Sequence, residues 1–402
     1  MVQQDNFAVE QFMDQYEHSI KFNMGETCCN SLSVNEVIDL ASENGANGSQ
    51  LKRGIIDSLF SKRLTYGNIS GSEDLKHEIA RLYNTNNDGS LLIGPKNIVI
   101  TNGAIGANFL TFYTIVDRND HIIVVDPSYQ QLSSVPGVFT SKRTDVDLLR
   151  LNFEDDYLPN LDNLRLLVKP GKTKLVVINN PNNPTGAVWG DDVMKEVVSI
   201  CEEHDIYLLC DEVYRPLFHS VTMPPSSVIN FGYEKCILTS SMSKAFSLAG
   251  LRLGWIVSRD KSFIEGAMAK RDYNTISISV VDDELATFAL KNHDTILKRN
   301  YELCRNNLKL LENFIDSSKG LIEWVKPRGG STAFVKVTIP GINTYEMCCE
   351  LADDYQCLVV PGEVFGKDKS GFLRIGFGNS QDDLKGGLSV LKKYLQDKEF
   401  WP

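Results

Sequence analysis

The sequence predicts an α/β fold: a mostly parallel sheet with helices on both faces, joined to a smaller α+β unit. Three observations carry this. Six short runs between about residues 97 and 257 are almost continuously apolar, with helical periodicity in several of the stretches between them. Continuous rather than alternating apolar runs mark strands buried on both faces, as in a covered parallel sheet. Most chemistry-bearing residues follow the ends of these runs, the edge where open α/β sheets bind ligands. After about residue 290 the pattern changes to a long amphipathic stretch and several short strand-like runs.

Bulk properties narrow the class. A chain of 402 residues is usually two domains, or one large domain with an appendage. Hydrophobic residues make up 42% and charged residues 23%, as in an ordinary soluble globular protein. The net charge of -11 and the lack of a long basic run exclude a nucleic-acid surface. The pairs Lys142-Arg143 and Lys392-Lys393 read as solvated faces. Nine scattered cysteines fit no metal spacing and are expected to be reduced thiols, with no metal bound. The first ten residues lack a basic-then-apolar signal. No apolar run reaches the roughly 18 residues that span a bilayer. A cytoplasmic protein with no membrane partner is expected. The expected division is an N-terminal arm at 1–45, a large domain at 46–290 and a small domain at 291–402.

In chain order, residues 1–45 read as an arm with a short helix. Gly25 within it is either an ordinary turn residue or a point of close backbone approach to a ligand. Tyr66 lies in a turn-rich loop ending at Gly71, as a structural tyrosine or a phosphate partner. Ser72 then opens a helix carrying Leu75, Ile79 and Leu82 on one face. The run 97–101 leads into Asn102, Gly103, Ala104 and Ile105 and a helix to about Val116. A strand, a small-residue turn and a helix start make an anion site from backbone N–H groups and the helix dipole.

The run 121–125 ends at Asp126 and Tyr129, the latter a core aromatic or a ring-stacking partner. The run 174–178 enters an asparagine- and proline-rich loop holding Asn183 and Gly186, followed by a helix with Val193, Val197, Ile200 and Cys201 on one face. The run 206–210 ends at Asp211, with Tyr214 beyond it. A buried strand-end aspartate needs a partner: a helix cap, a salt bridge or a protonated ring nitrogen. The run 236–238 leads through Thr239 and Ser241 to Lys244, then to Gly250, Arg252 and Gly254. A lysine just past a core strand is costly unless paired or bonded to an aldehyde as a Schiff base. Ser241 and Arg252 suit a phosphate.

Beyond residue 290, Leu297, Tyr301, Cys304, Leu308, Leu311 and Ile315 make the stripe of a long helix. Strands are expected at 321–324, 332–338, 357–360 and 371–378. Ser380 caps a last helix, which Gly386 and Gly387 weaken by roughly 1 kcal/mol each.

These motifs, in this order, resemble the class I/II aminotransferases, pyridoxal-phosphate enzymes of fold type I. The resemblance runs from about Gly25 to Arg374 and rests on seven matches. They are Tyr66 with Gly71; Asn102-Gly103-Ala104; Asp126 with Tyr129; Asn180 through Gly186; Asp211 with Tyr214; Ser241 with Lys244 and Arg252; and Leu373-Arg374. It implies a pyridoxal 5'-phosphate cofactor held as an aldimine on Lys244, which also moves the proton at the substrate Cα. It implies that Asp211 pairs with the pyridine nitrogen, Tyr214 and Asn183 bond the ring oxygen, and Tyr129 stacks on the ring. Ser241, Arg252 and the backbone of Gly103, Ala104 and Ile105 would hold the phosphate. Tyr66 would reach the phosphate of a neighbouring subunit, implying a homodimer. Arg374, with Asn183 and the Gly25 backbone, would hold the substrate carboxylate. Desolvation and a cationic cofactor are expected to lower the Lys244 pKa.

The sequence departs from the family between Gly25 and Asn30, where it reads Glu26-Thr27-Cys28-Cys29. A second arginine for a side-chain carboxylate has no anchored match; Arg271 and Arg328 are the candidates. The implied activity is amino transfer between an amino acid and a 2-oxo acid. A β- or γ-eliminating or cyclising lyase, C–S lyase or aminocyclopropane-carboxylate-synthase-like, is the alternative.

Overall fold

All six apolar runs form strands of one sheet. They are β2 (Ile98–Thr101), β3 (His121–Asp126), β5 (Thr173–Asn179), β6 (Tyr207–Asp211), β7 (Cys236–Ser241) and β8 (Gly254–Ser258); β1 (Phe22–Asn23) lies apart. A seventh member, β4 (Val146–Arg150), escaped the reading because it is an edge strand and only Leu149 in it is buried. The order is β2-β8-β7-β6-β5-β3-β4. Only β8 runs antiparallel to its neighbours; the other pairings are parallel. The structure is a computed structural model and describes residues 4–43, 45, 47–84, 92–142 and 145–402. Arg143 of the basic pair and Ala46 at the expected domain boundary lie outside the described residues.

Strand periodicity sends alternate residues to opposite faces. Val99, Ile122, Val124, Val177, Leu209 and Ile237 pack with Leu110 and Phe112 of the Gly103–Ile115 helix. Ile123, Val176, Ile178, Leu208 and Leu238 point the other way, into a cluster holding Val197 and Cys201 of the Asp191–Glu203 helix. Both faces are therefore covered, which is why the runs are continuous rather than alternating.

The C-terminal unit contains the expected strands, with one change. β9 (Ile322–Trp324), β10 (Thr332–Val337), β12 (Val360–Pro361) and β13 (Phe372–Gly376) form an antiparallel sheet ordered β12-β13-β10-β9. The run expected as one strand at 357–360 is split. β11 (Cys357–Leu358) pairs instead with β1, so the N-terminal segment joins the C-terminal unit.

The long helix is His293–Ser317 and the last is Gln381–Asp397, whose N-cap Ser380 accepts from the Asp383 N–H. Gly386 and Gly387 serve close packing: a Cβ on them would meet Phe22 at 2.1 Å and Met24 at 2.6 Å. The N-terminal arm holds two helices rather than one, Ala8–Tyr16 and Val34–Ser42. A further helix, Gly48–Ser61, buries none of its residues. Among the described residues no helix is long and apolar enough to cross a membrane, and no His/Cys/Asp/Glu group could hold a metal.

Candidate active site

Sheet register aligns the site. Asn179, Asp211 and Thr239 are paired neighbours across the ends of β5, β6 and β7. Beyond these ends lies a cavity of about 410 Å³, in the range that holds small molecules. It is lined by Lys244, Asp211, Tyr214, Asn183, Tyr129, Ser241, Arg252, Arg374, Gly25, Ala104 and Ile105. The structure thus gathers into one hollow eleven residues that span 350 positions of the chain (Gly25 to Arg374). Gly103 stands just behind the wall. Tyr66 is not in this cavity; it is 73% exposed and lines another hollow beside Lys62 and Asp283.

Asp211 is buried. Its carboxylate accepts from Asn108 Nδ2 at 2.9 Å and from the Val213 N–H at 3.0 Å. Burial pushes its pKa up to about 6, although both hydrogen bonds pull it down. Asn108 was missed in the sequence. A polar residue between Ala107 and Leu110, on the buried face of an apolar helix, was the available signal. Asn179 donates to the Asp211 carbonyl at 2.8 Å and accepts from the Asn183 N–H at 2.6 Å, fixing the loop.

Lys244 Nζ donates to Thr27 Oγ1 at 2.6 Å and to Cys28 Sγ at 3.2 Å, with Glu26 Oε1 at 3.9 Å. Of the two influences expected to lower the lysine pKa, burial is present in the chain alone. Burial does pull it down, but Cys28, Tyr214 and Glu26 outweigh burial and hold it above the ordinary value. Burial in turn pushes the Cys28 thiol up to about 11. The unusual Glu26-Thr27-Cys28 segment therefore borders the lysine directly. Tyr214 is buried and lines the cavity, with the Thr27 side chain beside its hydroxyl.

Arg252, Gly103 and Gly254 form a tight cradle at the start of the Gly103–Ile115 helix. Gly103 has φ +71°, and a Cβ there would lie 3.0 Å from the Arg252 guanidinium. A Cβ on Gly254 would lie 2.3 Å from the Gly103 carbonyl carbon. Arg252 itself sits in the left-handed region at φ 49°, a strained conformation for a side-chain-bearing residue. No side chain caps this helix start. Its first-turn N–H groups and Arg252 face the same end of the cavity, an arrangement that binds anions.

In the same cavity Arg374 is 3% exposed. It donates to the Gly25 carbonyl at 2.9 Å and to Asn183 Oδ1 at 3.4 Å. Among the described residues it forms no ion pair, and its Nε has no partner. Burial lowers its pKa, while Tyr214, Glu10 and Glu26 oppose that. A buried guanidinium with no close ion pair among the described residues favours an anionic ligand. Neither Arg271 nor Arg328 lines the cavity; Arg271 is buried and bonded to backbone carbonyls of Ile100 and Ile276.

Tyr129 donates to Glu10 Oε1 at 2.8 Å and packs against Phe7 at 5.2 Å between ring centroids. These contacts bring the Ala8–Tyr16 helix over the cavity, where Glu10, Met13 and its C-cap Glu17 join the lining. Sequence reasoning missed them, since nothing local says which sheet edge an N-terminal helix will cover.

Comparison with known proteins agrees with this geometry. The profile of the family described as "Aminotransferase class I and II" matches residues 20–391. A solved structure of a PLP-dependent aminotransferase from Streptococcus suis 89-1591 aligns with TM-score 0.89 and 33% identity, covering 98% of each chain. Capreomycidine synthase of Streptomyces vinaceus is 30% identical over 303 residues, 75% of this chain and 75% of that protein. Aspartate aminotransferase of Thermotoga maritima is 28% identical over 309 residues, 76% and 77% of the two chains.

Proposed function

We infer the reaction from one premise: this chain belongs to the class I and II aminotransferase family, and is a pyridoxal-phosphate-dependent transferase of fold type I. We propose that it moves an amino group between an amino acid and a 2-oxo acid. The observation that carries the reading is the shared cavity of Lys244 and the buried carboxylate of Asp211.

The residues present fit the cofactor. The buried Tyr214 hydroxyl, the buried Asp211 and the glycine-lined Arg252 cradle match a ring oxygen, a ring nitrogen and a phosphate in turn. When bound, pyridoxal phosphate supplies an aldehyde for amine capture and an electron sink for the bond broken at the substrate Cα. Asp211 would hold a proton on the ring nitrogen, because a buried anion there raises that nitrogen's pKa. Tyr214 and Asn183 would donate to the ring oxygen, and Tyr129 would cover the ring face. Ser241, Arg252 and the amides of Gly103, Ala104 and Ile105 hold the phosphate. Arg374, steadied by Asn183 and the Gly25 carbonyl, holds the substrate carboxylate. Lys244 Nζ moves the proton at Cα, a role that requires it to act there as the neutral amine.

We propose a division of the chain at 1–45, 46–290 and 291–402, with β1 tying the first segment to the third. A homodimer is supported by exposed Ile56, Phe60, Leu64 and Tyr66 around a helix that buries nothing in its own chain. Tyr66 would then serve the partner's phosphate; Phe60→Glu should yield monomers by light scattering. Nine cysteines free of disulfides support a cytoplasmic setting.

The test is direct. The purified protein should show a near-visible cofactor band, and borohydride should fix the cofactor on the peptide bearing Lys244. The band should be absent from Lys244→Ala. Turnover should require a 2-oxo acid acceptor. Release of ammonia with pyruvate or 2-oxobutyrate and no acceptor would replace amino transfer by the eliminating or cyclising reading. That second reading is supported by the 30% identity to a protein named capreomycidine synthase and by the atypical Glu26-Thr27-Cys28 wall.

A further inference from the structure

Charge is unevenly shared around the cavity. Its cations are Lys244, Arg252 and Arg374, and its anions are Asp211, Glu10, Glu17 and Glu26. The reading above, on which this inference rests, occupies all three cations and only Asp211 among the anions. Arg252 faces phosphate, Arg374 faces the substrate α-carboxylate, and Lys244 is committed to the cofactor. Three glutamates are left without an assigned counter-charge.

Their own contacts do not neutralise them. Glu10 makes no ion pair among the described residues and accepts only from the Tyr129 hydroxyl. Glu26 accepts from the Thr27 and Cys28 N–H groups at 2.6 Å each; among the described residues its one ion pair is with Lys244 at 3.9 Å, and Arg374 acts on it and on Glu10 only from farther off. Among the described residues Glu17 pairs only with His18, 89% exposed, at 3.5 Å. Glu10, Met13 and Glu17 stand three and four positions apart, so the Ala8–Tyr16 helix and its C-cap turn both carboxylates to one side. Arg374, 3% exposed and with its Nε unpartnered among the described residues, marks the same hollow as one built for a ligand. Among the described residues no further arginine or lysine lines the cavity to receive a side-chain carboxylate.

We propose that the substrate amino acid carries a cationic side chain, guanidino or ω-amino, received by Glu10 and Glu26 with Glu17 adding to the negative field. A second carboxylate on the substrate would face like charge here, whereas a cation completes the balance.

The test compares cations with their neutral shape-mates on the holoenzyme. Arginine is titrated against citrulline, and lysine against norleucine, with glutamate as the acidic arm. Affinity is read from the cofactor absorbance and, separately, from the shift in thermal midpoint. The cationic member of each pair should bind at least about 10-fold tighter. That ratio should fall toward one in Glu10→Gln and Glu26→Gln. Whichever of arginine and lysine shows the larger ratio identifies the head group. Equal binding within both pairs, or tighter binding of glutamate, overturns the proposal while leaving the cofactor reading intact. Absence of any cofactor band, or a band no amino acid perturbs, overturns the underlying reading and this inference with it.

Discussion

Asn108 donates from Nδ2 to Oδ2 of Asp211 at 2.9 Å, while Thr239 donates to the other end of the same amide at 2.6 Å. A helix and two neighbouring strands thereby hold one buried carboxylate. Asn108→Ala should strand both partners, and each buried polar group left unsatisfied costs about 1–3 kcal/mol. Lower stability in urea and weaker cofactor binding are expected together. Unchanged values for both would show that Asn108 does not position Asp211.

Asp211 also sets a pH dependence. Its carboxyl lies at about 6 in the folded chain against an ordinary 3.8, raised by burial. Between those values the folded state binds more protons than the unfolded state. Stability of the cofactor-free protein should therefore fall as pH rises through that window, by about 3 kcal/mol at full extent. A bound cation at the ring nitrogen should abolish the fall. Urea midpoints of apoprotein, holoprotein and Asp211→Asn between pH 4 and 7 read this; a parallel apoprotein and Asp211→Asn profile would contradict it.

Arg374→Ala removes a buried guanidinium that has no ion pair among the described residues. Loss of a desolvated charge contact costs about 2–5 kcal/mol, so kcat/KM should drop at least ~30-fold for every amino acid tested. The apoprotein should be no less stable, because an uncompensated buried charge has gone. A stability loss with unaltered KM would assign Arg374 to structure alone.

Gly254→Ala places a Cβ 2.3 Å from the Gly103 carbonyl carbon. The phosphate turn must shift, and cofactor affinity should fall by about 10-fold or more while the circular dichroism spectrum persists. Retained affinity would mean that the cradle yields without loss.

Gly386→Ala separates propensity from packing. In a free helix the change stabilises by about 1 kcal/mol. Here the new methyl would meet the Phe22 ring at 2.1 Å, so a destabilisation of about 1–3 kcal/mol is expected from overpacking. A rise in thermal midpoint would show that Phe22 moves aside freely.

Much of the site was legible because its parts are local. Lys244, Asp211, Tyr129 and Asn183 each follow a continuous apolar run, and a strand end beside a turn is written in a few adjacent residues. Apolar periodicity likewise predicted the sheet and the long helices, since two-sided burial demands it. Edge strand β4 was lost because one-sided exposure erases that signal. The run near 357–360 was misread as one strand because pairing partners, not composition, divided it between two sheets.

By itself, then, the sequence determined the six two-sided strands of the large sheet and the positions of Lys244, Asp211 and the Gly103 turn at their ends, all consequences of short-range pattern. Only the tertiary structure decided which distant groups surround them. Asn108 reaches Asp211 across 103 positions of chain, and the glutamate-bearing N-terminal helix is held over the cavity by Glu10 and Tyr129, 119 positions apart. Such contacts follow from register and packing between elements, which no local run of residues encodes.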